Sequence, residues 1–203
     1  MKELKFHIGC GTVYLEDYVN IHPAPDFLVT KAPELTLSQT TTIDKYYVKP
    51  FDNRPHHHIA DLKSTLEDFP KNCEVIYGSS EKIADEICMF HVLEHIPKYD
   101  LDKNLKIISN LLKPGGKFRV AVPDFDGIVL EYAEKLKSGI SEEDKEWYYR
   151  FIHGTQKDKY SHHYCGYNKY RLCELLKNYG FNKFEDLKNQ NFYPAIHILA
   201  HKE

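Results

Sequence analysis

Leu4-Lys5-Phe6-His7-Ile8-Gly9-Cys10-Gly11 is the stretch that decides the fold. Residues 4–9 read as a strand that runs into a glycine turn. Glycines at a strand end let the backbone approach a ligand with no Cβ in the way. The pattern is not the dinucleotide fingerprint, because GxGxxG would need a third glycine where Tyr14 stands. Nicotinamide cofactors are therefore disfavoured.

Working outward, residues 18–21 read as a short second strand. Residues 59–62, 74–78 and 86–90 also have strand character, with Val75, Ile76 and Tyr77 in the middle one. Leu101, Leu105, Ile108 and Leu112 recur at helical spacing, and Pro114-Gly115-Gly116 stops that helix. Residues 118–122 form the next strand. Residues 127–137, 141–152 and 170–179 read as helices, and 181–187 and 195–201 as a closing pair of strands. Strands alternating with helices predict a mostly parallel, doubly wound α/β sheet. The expectation is a single domain over residues 1–203. Within it, residues 23–55 carry five prolines and a polar run and read as a loop or lid insertion. Residues 140–168 read as a segment on the acceptor side.

The 203 residues are 42% hydrophobic and 28% charged, with a formal net charge of −3, as in ordinary globular proteins. No Lys/Arg block indicates a nucleic-acid footprint. No apolar run is long enough to span a bilayer, and the amino terminus lacks the apolar region of a signal peptide. A cytoplasmic location is the expectation. Cys10, Cys73, Cys88, Cys165 and Cys173 are odd in number and lack CxxC spacing, which predicts reduced thiols.

Three blocks occur in order: Ile8-Gly9-Cys10-Gly11, then Asp85-Glu86-Ile87 with His91-Val92-Leu93-Glu94-His95, then Leu111-Leu112-Lys113-Pro114-Gly115-Gly116 followed by Ala121-Val122-Pro123-Asp124. Together they resemble class I S-adenosylmethionine-dependent methyltransferases. More narrowly they resemble a family of small bacterial methyltransferases, several of which sit in surface-glycan pathways. The resemblance implies a Rossmann-like fold with six or seven strands and S-adenosyl-L-methionine as cofactor. It places Gly9, Cys10 and Gly11 around the methionine part of the cofactor, with Phe90 and His91 at the same end. It also implies an acidic residue for the ribose hydroxyls at the end of the second strand. The matching residues here are Asn20-Ile21-His22, and a histidine cannot replace a bidentate carboxylate. Asp26 could reach back, or residues 59–62 could be the true second strand. Asp61 is assigned to the nucleoside in either arrangement, and Ser79 falls in the adenine-contacting segment. A silent cofactor-binding or scaffold protein stays open as the rival reading.

His91, Glu94 and His95 share one face if helical. Three readings stay open. Glu94 and His95 read as a structural pair, or His95 or His163 as a general base, or the HxxEH group with His162 or His163 as a metal site. The third arrangement is similar to a Glu-rich site in some small-RNA 2′-O-methyltransferases and a quinone O-methyltransferase, and the match extends only to Glu94 and His95. No metal is assigned. The segment Tyr160 to Tyr167 is polar and aromatic, and Gly154, Gln156, His163, Gly166 and Tyr167 approximate the family's pattern there. The expected catalytic residues are His163, His95 and His91. The expected partner is a small polar acceptor, a sugar or a phosphate-bearing glycan precursor. His56-His57-His58 forms a separate cluster with a weaker metal reading.

Overall fold

The computed structural model describes residues 2–11, 13–23, 40–41, 60–187 and 194–203. Most of the 23–55 insertion and the His56-His57-His58 cluster lie outside these residues, as does Asp26. The strands of the main sheet are β1 (Lys5–Ile8), β3 (Val19–His22), β5 (Leu62–Lys63), β6 (Ala84–Phe90), β7 (Leu112–Pro123), β8 (Phe181–Asp186) and β9 (Ala195–Lys202). They lie in the order β5-β3-β1-β6-β7-β9-β8. Neighbours from β5 to β7 are parallel, and β9 pairs antiparallel with both β7 and β8. A small second sheet pairs β2 (Tyr14–Leu15) with β4 (Thr40–Thr41). The helices are α1 (Phe69–Tyr77), α2 (Lys98–Leu111), α3 (Phe125–Ser138), α4 (Glu142–His153) and α5 (Lys169–Lys177). This is the expected doubly wound, Rossmann-like arrangement.

The later parts of the central strands, Ile87–Phe90 of β6 and Val120–Pro123 of β7, are apolar and buried because helices cover a parallel sheet on its faces. Phe6, Ile87, Met89, Phe118 and Val120 are fully buried and pack with Leu105, Ile108, Leu172 and Leu176 from α2 and α5. A smaller cluster holds Val13, Leu15, Tyr18, Cys88, Phe90 and Ala121. All five cysteines are free thiols.

Two sequence expectations change. Residues 74–78 are not a strand but the end of α1. Pro70 opens that helix, and Gly78 closes it in the left-handed region at φ 75°, its N–H donating to Glu74 O. The β-branched pair that suggested a strand faces water, with Val75 80% exposed, while Phe69 and Cys73 point inward at helical spacing. The second correction concerns register. Residues 19–22 lie directly beside β1, and of the described residues 60–62 of the later candidate only Leu62 enters the sheet, in β5 outside β3. Residues 59–62 are thus not the second strand.

Candidate active site

The strand order reverses between β1 and β6, so the chain leaves these two neighbours in opposite directions. That divergence opens a crevice beyond their carboxyl ends, where open α/β sheets bind ligands. Two turns face it. Gly9 and Gly11 follow β1 with φ of 72° and 56°, and His91 follows β6 at φ 56°. The first turn folds over the end of β3, because the Gly9 and Cys10 amides both donate to Ile21 O, at 2.9 and 3.1 Å. A Cβ on Gly9 would overlap Val92 Cγ2, so the two turns touch at that point. Among the described residues, a Cβ on Gly11 would meet only Gly9 O at 3.9 Å. No described side chain crowds the second glycine, as suits a backbone that receives a ligand.

The sequence-assigned residues divide by position. Cys10 is buried, and burial pushes its thiol up, so it meets the crevice through its backbone. The Phe90 ring packs edge-on against His197 at 5.3 Å within the smaller core cluster, leaving its backbone at the strand end. Asp61 is exposed beside β3. Its Oδ1 accepts from Tyr14 Oη at 2.8 Å and its Oδ2 from Asn20 N at 2.8 Å. Burial first, and then Asp61, push the Tyr14 hydroxyl up to about 12. Asn20 Nδ2 also donates to Oδ2, at 3.3 Å, so of the roughly four acceptor positions of a carboxylate about one is left for a hydroxyl donor. Ser79 does not belong with this group. It lies between the end of α1 and the start of β6, at the edge where the parallel strands begin. Ser64 and Thr65, just past β5, occupy the strand-end position expected of Ser79. Locating them required the register of β5, a strand of two residues with no periodicity to read.

On the β6 side, a short 3-10 turn (Leu93–His95) follows His91. Glu94 is 1% exposed, and His91 Nδ1 lies 3.3 Å from its Oε1. The segment after α4 crosses this turn. Tyr164 N and Cys165 N donate to Glu94 O at 2.8 and 3.3 Å, and His163 N donates to His153 O. Gly154 allows the return, because a Cβ there would collide with the Ser161 carbonyl. The result sets the His163 ring edge-on to His95, with centroids 4.7 Å apart. His95 Nδ1–H donates to His162 O at 2.9 Å and His163 Nδ1–H to Phe151 O at 2.8 Å. Carbonyls only accept, so each neutral ring keeps its Nε2 lone pair. Burial lowers the His163 pKa. Burial would raise the Glu94 carboxyl, but His91, then His95 and His163, hold it below the usual range. The sequence brought His91, Glu94 and His95 together, and the fold adds His163 from 68 residues away. His162 contributes its carbonyl.

The methyltransferase domain family model matches residues 8–185. The chain belongs to the methyltransferase domain family. It is an enzyme whose methyl donor is S-adenosyl-L-methionine. Solved methyltransferases share its fold at low identity. One from Thermotoga maritima, described as S-adenosylmethionine-dependent and a possible histamine N-methyltransferase, superposes with a TM-score of 0.53 at 15% identity. That alignment covers 100% of this chain and 83% of the other. An S-adenosylmethionine-dependent methyltransferase from Archaeoglobus fulgidus gives 0.52 at 13%, covering 98% and 86%. A didemethyltoxoflavin N1-methyltransferase from Burkholderia thailandensis, solved with its substrate and S-adenosylhomocysteine, gives 0.51 at 12%, covering 98% and 70%. No curated protein sequence matches this methyltransferase. Among its described residues, no helix is long and apolar enough to cross a membrane.

Proposed function

We propose that this methyltransferase acts on a small polar acceptor that presents a hydroxyl, a sugar or a phosphate-bearing glycan precursor. One observation carries the reading. The glycine turn and the cluster of His91, His95 and His163 stand at the same strand edge, joined where Gly9 packs on Val92. The turn's fit to the cofactor rests on Gly11, which no described side chain crowds, and on the Asp61 carboxylate near Cys10.

In this reading Gly9, Cys10, Gly11 and Phe90 hold the methionine end of the cofactor through their backbone. Asp61 accepts from the nucleoside. The bound cofactor supplies an electrophilic methyl on a sulfonium. The protein aligns that methyl with the acceptor oxygen and excludes water. His163 Nε2 accepts the hydroxyl proton as the methyl arrives. Its Nδ1–H bond to Phe151 O fixes the ring in the tautomer this needs. His95 and His91 flank the same space and bias His163 electrostatically.

The test is turnover, measured as S-adenosylhomocysteine released and methylated product identified by mass spectrometry, across free sugars and sugar phosphates. His163→Ala should lower turnover roughly 10²–10⁴-fold with cofactor affinity unchanged. Product formation on a hydroxyl acceptor that survives His163→Ala intact would remove the base from this reading.

A further inference from the structure

Glu94, His95 and His163 carry more than proton transfer requires. One donor atom from each lies within 4.8 Å of the others. Neither Glu94 carboxylate oxygen has a hydrogen-bond partner among the described residues, although the side chain is almost fully buried. Its ion-pair contact there is His91 Nδ1 at 3.3 Å. A buried carboxylate with unmet acceptor positions is costly unless positive charge accompanies it.

The two imidazoles are already set for that charge. Each ties its Nδ1–H to a backbone carbonyl, which turns Nε2 into the available donor atom. This outer hydrogen bond is the feature that orients metal-binding histidines. The loop that brings His163 is pinned to the Glu94 carbonyl by two amides, so the donors come from two segments locked together.

We propose that Glu94, His95 and His163 bind one divalent transition-metal cation, with His91 at the rim of the site. Two imidazole nitrogens and one carboxylate oxygen suit zinc, manganese, iron or cobalt better than calcium or magnesium. Bonds of about 2.1 Å in a tetrahedron put ligand atoms about 3.4 Å apart, so the three side chains close by on the order of 1 Å. Three protein ligands leave coordination positions open. The site itself does not depend on methyl transfer. Its meaning for catalysis does rest on that reading. The ion and the proton-accepting role of His163 exclude each other: His163 Nε2 acts as base only in the ion-free protein, and with the ion bound that lone pair is a ligand and the open positions receive the acceptor oxygen.

The full-length protein, stripped with chelator, is titrated with zinc ions alone by calorimetry, and with cobalt ions by visible absorption. One ion per chain is expected. Glu94→Gln, which keeps the side-chain shape, and His163→Ala should each weaken zinc binding by at least about 100-fold. His162→Ala should bind normally, because only its carbonyl is used. Replacing His56, His57 and His58 together by alanine should also leave binding intact. Circular dichroism confirms that each variant is folded. Failure of the wild type to bind zinc overturns the site, as does binding that survives Glu94→Gln and His163→Ala. S-adenosylhomocysteine binding measured on the same samples separates the two claims. Its persistence without zinc binding would reject the ion site and leave the methyltransferase reading standing.

Discussion

Gly9→Ala should damage this protein far more than Gly11→Ala, although both glycines sit in one turn. Both occupy the left-handed region, at φ 72° and 56°, so each substitution carries a backbone cost of about 1–2 kcal/mol. Only Gly9 adds a collision. Its Cβ would overlap Val92 Cγ2 and stand 3.3 and 3.4 Å from Val92 Cγ1 and Cβ. Overpacking of this kind costs about 1–3 kcal/mol more. The sum is about 2–5 kcal/mol, or a melting temperature lower by roughly 5–15 °C in a chain of this size. Gly11→Ala should cost only the backbone share. Thermal and urea unfolding measure both. The double variant Gly9→Ala, Val92→Ala should be more stable than the sum of the single effects by about 1–3 kcal/mol. Equal costs at the two glycines, or additive behaviour in the double variant, would refute the contact between the turns.

Asp61→Ala should weaken S-adenosylhomocysteine binding by about 1.5–3 kcal/mol, read by calorimetry. Unchanged affinity would leave Asp61 as a brace for Tyr14 and Asn20 alone. Stability should fall in mild acid. Burial holds His7 neutral down to about 4, and likewise His197. The unfolded chain protonates them near 6.5, so it takes up more protons between those values. Stability from these groups is full above about pH 6.5 and is lost as pH falls to about 4, by up to about 3 kcal/mol for His7 and less for the partly exposed His197. Melting temperature against pH measures this, and His7→Gln should flatten the curve. A profile unchanged by that substitution would contradict the assignment.

Periodicity exposed the sheet where burial was two-sided or the helix long. Residues 86–90 and 118–122 are plain apolar runs, and α2 shows its stripe at Leu101, Leu105 and Ile108; the helix ends at Leu111, however, and Pro114-Gly115-Gly116, read as its stop, lies within β7 with Leu112. Periodicity failed at α1, where Val75 and Ile76 imitate a strand yet face water, and tertiary packing through Phe69 and Cys73 decides the matter. That misreading carried Ser79 to the wrong edge of the sheet. At the site, His91, Glu94 and His95 were legible because they are adjacent in sequence. The contact between His95 and His163 depends on amide bonds from Tyr164 and Cys165 to Glu94 O, which leave no trace in side-chain pattern. The tautomers of both histidines are set by carbonyls and were equally invisible.

The most direct test of the account is calorimetric titration of the full chain with S-adenosylhomocysteine, beside Gly11→Val. The wild type should bind one molecule per chain. Gly11→Val, shown to be folded by circular dichroism, should bind none, because its side chain fills the space the ligand needs. Absence of binding by the wild type, or equal binding by the folded variant, would contradict a cofactor seated at the Gly9–Gly11 turn.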